Sequence, residues 1–218
     1  MLLPQDCHLC GEPTAASLLC LPCRESLPRL AQIRCARCAL PTPTGEVCGE
    51  CLKQVPHFDR TFCALVYSFP VDRLVQSLKY NHRLAVADFF AALMLEAAQP
   101  EGDLLLPVPV AAARLRERGF NQAVEIARPL ARRLGLPLVL DGCLRTIDTA
   151  PQTSLPWKAR RKNIRHAFEC RIDFSDKRII VVDDVMTTGA TLDELAETLK
   201  KHGAASVTNW VAARTLKL

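Results

Sequence analysis

Nowhere in its 218 residues does the chain hold a run approaching the roughly 18 consecutive apolar residues of a membrane span, so no transmembrane helix is expected. An N-terminal apolar signal segment has no room either, because MLLPQDCHLCG reaches cysteines with metal-type spacing first. The expected compartment is therefore the cytoplasm, where thiols stay reduced. Large apolar residues are also scarce before about residue 56, where Pro, Gly and Thr fill the space between eight of the eleven cysteines. That many cysteines in a reducing compartment point to metal ligation over disulfides.

What is present is otherwise ordinary: 49% hydrophobic and 23% charged residues, the balance of a globular protein able to bury a core. The formal charge of +5 is unevenly spread. Residues 1–55 hold five Lys/Arg and five Asp/Glu, whereas residues 111–171 hold thirteen basic against five acidic residues. Such a block is either a solvated surface or a site for phosphates or nucleic acid.

The cysteines form pairs: Cys7-x2-Cys10, Cys20-x2-Cys23, Cys35-x2-Cys38 and Cys48-x2-Cys51. The unit C-x2-C-x9-C-x2-C occurs twice with a period of 28 residues. Two-residue spacing aims both thiolates of a tight knuckle at one ion, and a second knuckle closes a four-sulfur site. Short repeated knuckles favour structural zinc, although an iron–sulfur cluster also takes four thiolates. Two sequential sites are favoured; an interleaved arrangement uses the same eight ligands and stays open. With four thiolates on each ion there is no open position for catalysis. Cys63, Cys143 and Cys170 stand apart in apolar surroundings and are expected to be lone core residues.

Composition changes at Lys53–Phe58, which divides the chain into residues 1–56 and 57–218. Beyond that boundary the pattern predicts strands at Arg60–Tyr67, Asp103–Pro107, Arg178–Val182 and Ser206–Ala212, with weaker ones near Val139 and Ala167–Cys170. Apolar spacing predicts helices at Val71–Lys79, Leu84–Ala98, Asn121–Leu134 and Thr191–Lys201. Alternating helices and continuously apolar strands imply an α/β fold, a mainly parallel sheet covered on both faces.

The chemistry gathers in VVDDVMTTGAT, residues Val181–Thr191. A strand ending in two acids and followed by a Thr/Gly-rich turn and a helix surrounds an anion with backbone N–H groups and hydroxyls. Asp183 and Asp184 would repel that anion at contact. One sugar's width away they can accept hydrogen bonds from vicinal hydroxyls, so a ribose 5-phosphate satisfies both features. Upstream, Arg114, Arg116 and Arg118 alternate with Leu and Glu, a spacing that suits a loop closing over a ligand. Guanidinium forks are suited to pyrophosphate, and Asn121 can cap the following helix.

VVDDVMTTGAT resembles the signature of the type I phosphoribosyltransferases, which bind phosphoribosyl pyrophosphate (PRPP) and Mg²⁺. That resemblance implies that Asp183 and Asp184 hold the ribose hydroxyls. It gives the 5′-phosphate to Thr187, Thr188, Gly189, Ala190 and Thr191. With LKYNHR (Leu78–Arg83), PVPVAAARLRERGFNQA (Pro107–Ala123) and RTIDTAPQTSLPWKARRKNIRHAF (Arg145–Phe168), nearly the whole chain is similar to the ComF family. Its members join a double zinc ribbon to a phosphoribosyltransferase-like domain, and one branch serves DNA uptake in natural transformation beside a helicase-like ATPase.

The resemblance further implies pyrophosphate or DNA contacts from Lys79, Arg114, Arg116 and Arg118. It adds Arg160, Arg161 and Asn163 from a loop that covers pyrophosphate in related transferases. Cations beside Trp157 equally suit single-stranded DNA, by backbone attraction and base stacking. Purine-salvage enzymes carry a base-assisting acid where this chain has Thr187, which speaks against purine transfer. No cysteine follows Met1, so a built-in glutaminase is not expected. The sequence thus supports three readings: a DNA-handling competence protein with a phosphosugar pocket, an active phosphoribosyltransferase of unknown acceptor, and a non-catalytic PRPP sensor.

Overall fold

The apolar run beginning at Arg178 forms an inner strand of a four-stranded parallel sheet in the computed structural model of the chain, which describes residues 5–15, 17–146 and 166–216. The strands are β1 (Gln5–Asp6), β2 (Pro13–Thr14), β3 (Arg60–Val66), β4 (Leu104–Pro107), β5 (Cys143–Arg145), β6 (Phe168–Cys170), β7 (Arg178–Met186) and β8 (Ser206–Arg214). The helices are α1 (Leu21–Glu25), α2 (Gly49–Lys53), α3 (Val71–Tyr80), α4 (Ala85–Ala97), α5 (Ala112–Arg118), α6 (Gln122–Leu134) and α7 (Ala190–Lys201). The sheet order is β3-β8-β7-β4, parallel throughout.

Side-chain alternation along β7 explains why both faces are covered. Ile179 and Val181 join Val207 and Val211 in a core with Leu192, Leu195, Ala196 and Leu199 of α7. Ile180 and Val182 join Trp210 and Ala212 in a second core with α3, α4 and α6. A strand buried on both sides must be apolar at every position, which is the pattern of RIIVV. The expected parallel α/β architecture is the one observed.

The cysteine-rich segment packs directly against this sheet. Residues between the two cysteine sets run along the free edge of β3, where Leu30 N–H donates to Ala64 O (3.3 Å) and Val66 N–H donates to Pro28 O (2.8 Å). An otherwise open strand edge is thereby paired. Cys7, Leu19 and Leu27 join the core of α3 and α4, whereas Leu30, Cys35, Cys38 and Cys51 join the core of α7. The two halves of the repeat thus contribute to cores on opposite faces of the sheet.

Three expectations require correction. The arginine-rich stretch after β4 is helical, since α5 spans Ala112–Arg118. Its arginines occur at every second residue, but Arg114 and Arg118 are four apart and share a helical face, while Arg116 points elsewhere. Gly119, at φ 74°, ends the helix in the left-handed conformation that glycine tolerates. Strand β7 continues past Val182 to Met186, so both acids lie within the strand. Finally, Cys143 and Cys170 are not solitary: they oppose each other across the antiparallel β5–β6 pair, 4.1 Å apart at Cα, and form a disulfide. Their sequence separation of 27 residues carries no local signal of that pairing. Cys63 is a buried core thiol, as expected, and burial pushes its pKa up to about 12.

Candidate functional site

The eight paired cysteines gather into two groups, Cys7/Cys10/Cys20/Cys23 and Cys35/Cys38/Cys48/Cys51, with all sulfurs in each group within 4.8 Å of one another. The arrangement is sequential. Sulfur–sulfur distances of 3.6 Å (Cys10–Cys20) and 3.5 Å (Cys38–Cys48) are close to the ~3.8 Å edge of a tetrahedron with zinc–thiolate bonds of ~2.3 Å. Each group therefore fits one zinc ion. Burial acts upward on the Cys7 and Cys35 thiols, yet neighbouring backbone N–H groups outweigh it and hold them at about 6 and about 7. The knuckle backbone thus favours the thiolate that a metal needs.

The two acids of β7 meet the end of α3 in a polar cavity of about 220 Å³. Lys79 Nζ lies 2.5 Å from Asp184 Oδ2. Burial opposes ionisation of Asp184, but the Lys79 ammonium outweighs it and holds the carboxyl below its usual range. Burial and the adjacent Asp184 carboxylate push Asp183 well above its usual range. One acid is ion-paired and the other is harder to ionise, so two neighbouring carboxyl groups of different character face the cavity.

Arg114 and Arg118 of α5 line the same cavity, together with Thr191, Asn121, Gln122 and Arg145. Asn121 caps α6 by accepting from Ala123 N–H (3.0 Å), and its Nδ2 donates to Val108 O (2.9 Å). Gln122 accepts from Arg118 (3.2 Å), but its own Nε2 and the Arg118 Nε are buried without a hydrogen-bond partner among the described residues. Buried donors left unpaired are uncommon and call for an acceptor. Asn121 could be read as a cap from sequence, but Gln122 and Arg145 were not singled out. Arg145 opens the basic segment, which is the only local signal it offered.

The other sequence candidates fall elsewhere. Arg116 is exposed and does not line the cavity. Arg160, Arg161 and Asn163 lie outside the described residues. Thr187, Thr188, Gly189 and Ala190 line a second cavity, about 240 Å³ and mostly apolar, together with Leu40, Glu50, Pro56, Phe58 and Leu216. The turn thus separates two cavities, with Thr191 facing the polar one. Gly189 has φ 84°, a backbone conformation that strains any residue with a Cβ, so the turn favours glycine.

Arg214, at the end of β8 and 3% exposed, fastens this turn to the second cysteine group. Its Nε donates to Cys38 O (2.9 Å), and its Nη1 donates to Met186 O (3.0 Å), Thr215 O (3.0 Å) and Thr187 O. Burial lowers the Arg214 pKa from its ordinary value. Nothing in the sequence around Arg214 signalled this role.

Residues 1–52 match the double zinc ribbon domain, and residues 121–215 match the phosphoribosyl transferase domain. The chain is 34% identical to the DNA utilization protein YhgH of Escherichia coli O157:H7 over 158 residues, 69% of this chain and 70% of that one. It is 32% identical to Competence protein F of Haemophilus influenzae over 161 residues, 68% of this chain and 69% of the relative. With Competence protein ComFC of Bacillus subtilis it shares 34% identity over 118 residues, 51% of this chain and 45% of that protein. No helix among the described residues is long and apolar enough to cross a membrane.

Proposed function

The chain belongs to the ComF family, and from that premise we propose that it handles single-stranded DNA during uptake or utilisation, using the polar cavity to hold PRPP or a related ribose 5-phosphate. The observation that carries the pocket is the joining of Asp183 and the Lys79–Asp184 ion pair to two buried donors, Arg118 Nε and Gln122 Nε2, that have no hydrogen-bond partner among the described residues. A ligand with vicinal hydroxyls and phosphate oxygens answers both halves. In this reading Asp183 and Asp184 bind the hydroxyls, Thr191, the member of the Thr187–Thr191 turn that lines the polar cavity, takes the 5′-phosphate, and Lys79, Arg114 and Arg118 neutralise the pyrophosphate. Mg²⁺, where bound with the ligand, supplies charge neutralisation of the same pyrophosphate.

The DNA half rests on the names of the relatives and on the excess of cations over residues 111–171. Among the described residues of that block, Arg114, Arg118 and Arg145 line the cavity, while Arg128, Arg132 and Arg133 are exposed on α6. Titration calorimetry with PRPP and Mg²⁺ tests the pocket; saturable binding abolished in Asp183→Asn/Asp184→Asn is expected, and no binding by the unaltered chain ends this reading. Deleting the gene in its host and rescuing with the same double variant tests the role, and full rescue would separate DNA handling from the pocket.

A second reading, an active phosphoribosyltransferase, is favoured by the apolar cavity on the far side of the turn, which has room for an acceptor. Pyrophosphate release from PRPP with nucleobases, orotate, ammonia or cell extract decides it. No release with any of them leaves the pocket a binding site.

A further inference from the structure

At the mouth of the polar cavity the last turn of α3 runs from Lys79, inside it, to Tyr80, which is 61% exposed. The Arg118 guanidinium lies over the Tyr80 ring, 5.3 Å from its centroid. Beyond it the rings of His82 and Phe120 meet at 5.4 Å, tilted by 55°. Arg83 in the same turn contacts the His8 ring beside the first cysteine knuckle at 3.0 Å, which anchors the segment from outside. The rim of the polar cavity therefore carries an arginine-backed aromatic ring, with the exposed Arg83 in the turn that follows it.

A large ring left this exposed gains little for folding, and one cation lies over it already. A planar, electron-rich partner stacking on the ring would remove apolar surface from water, and the surrounding arginines would draw in a polyanion. Single-stranded nucleic acid has both properties: every base offers a π-face and every link carries a charge. Double-stranded DNA keeps its bases stacked on each other and cannot offer that face. We propose that Tyr80, backed by Arg118 and flanked by His82 and Phe120, is a base-stacking platform for a single strand at the mouth of the cavity. This rests on the DNA-handling reading above and adds to it where, and by what contact, a base is held.

The test uses the zinc-loaded full chain and fluorescence anisotropy at fixed low salt. Two labelled strands of equal length are compared, one of deoxythymidine and one with abasic sites throughout. Tyr80→Ala is expected to weaken binding of the thymidine strand about 10-fold, within the range of one lost base stack. Tyr80→Trp keeps or tightens it, and Tyr80→Ala leaves the abasic strand unchanged. If Tyr80→Ala weakens both strands alike, the ring only positions Arg118 and the platform is overturned. Unchanged affinity for the thymidine strand overturns it equally. If the unaltered chain binds neither strand, the DNA reading itself fails and takes the platform with it.

Discussion

The two halves of one sequence repeat have been put to different uses. Both cysteine groups carry the same spacing and the same four-sulfur geometry. The first is the more open, with Cys10 exposed and Cys20 and Cys23 half-buried; it sets Cys7, Leu19 and Leu27 into the core of α3 and α4, and its polar contacts to the rest of the chain, Arg24 with Glu96 and His8 with Arg83, are exposed. The second has Cys35, Cys38 and Cys51 buried, and the Cys38 carbonyl is gripped by the buried guanidinium that also holds the Met186 and Thr187 carbonyls. Identical motifs thus differ by what their backbones touch. The second is wired to the candidate site, and the first sits against the opposite core.

Disrupting the second group should do the most damage. About two zinc ions per chain are expected by metal analysis. Cys51→Ala should lower that count, partly unfold the α7 face and abolish phosphosugar binding, because metal binding here is also folding free energy. Cys10→Ser should lose the first ion yet retain most binding. Equal loss of binding in the two variants breaks the comparison.

Next is Arg214→Met, which removes the link without touching a cysteine. It leaves the carbonyls of Cys38, Met186, Thr187 and Thr215 without this donor. Several unsatisfied buried groups should lower stability by about 4 kcal/mol, read from urea unfolding. Ligand affinity should fall while both zincs stay bound. Retained affinity would show that the turn holds its shape without the ribbon.

The Lys79→Met change strands a buried Asp184 charge, and about 3 kcal/mol of destabilisation is expected. Adding Asp184→Asn removes that charge, so the double variant should recover much of the loss. A double variant as unstable as the sum of the two single changes would mean that the pair does not interact.

Legibility followed locality. The cysteine repeat and the Asp183–Thr191 segment are contiguous in sequence, so spacing alone pointed to four-sulfur groups and to a Thr/Gly-rich turn between a strand and a helix. The strongly apolar strands were legible because burial on both faces leaves no polar positions. The cavity walls were harder: Lys79, Arg118, Gln122 and Arg145 come from four separate elements and meet only after folding. Helix α5 was hidden because three alternating arginines look like a loop until Arg114 and Arg118 are seen as one face. The Arg214 link and the covering of the β3 edge by residues 28–36 depend on tertiary contacts that no periodicity encodes.

Asp183 gives a smaller effect, with a definite sign. Below about pH 4, the range of an unperturbed carboxyl, native and unfolded chains both hold its proton. Above that, the unfolded chain releases the proton while the native chain keeps it, because burial and Asp184 raise the native pKa. Rising pH therefore favours unfolding through this group until it passes the native pKa. Asp184 acts oppositely: its native pKa is lowered by Lys79 despite burial, so its contribution is present above about pH 4 and lost as pH falls through the native value. Urea midpoints from pH 5.5 to 8, with zinc bound and no ligand, should decline with pH more in the unaltered chain than in Asp183→Asn. Parallel curves would remove the assignment of the raised carboxyl to Asp183.

The smallest effect belongs to the first group's outer contact. Arg24 and Glu96 join α1 to α4, but their side chains are 41% and 48% exposed. Water screens such a pair, and holding two long side chains in place offsets much of the attraction, so Glu96→Gln should cost under about 1 kcal/mol. It should also become harder to detect as salt rises. The first group would then be held mainly by Cys7, Leu19 and Leu27 in the core of α3 and α4. Leu19→Ala, which removes a side chain only 2% exposed from that core, should cost about 2 to 4 kcal/mol. If Glu96→Gln proves the more damaging, the first ribbon is attached electrostatically, and the contrast with the buried Arg214 link is one of degree only.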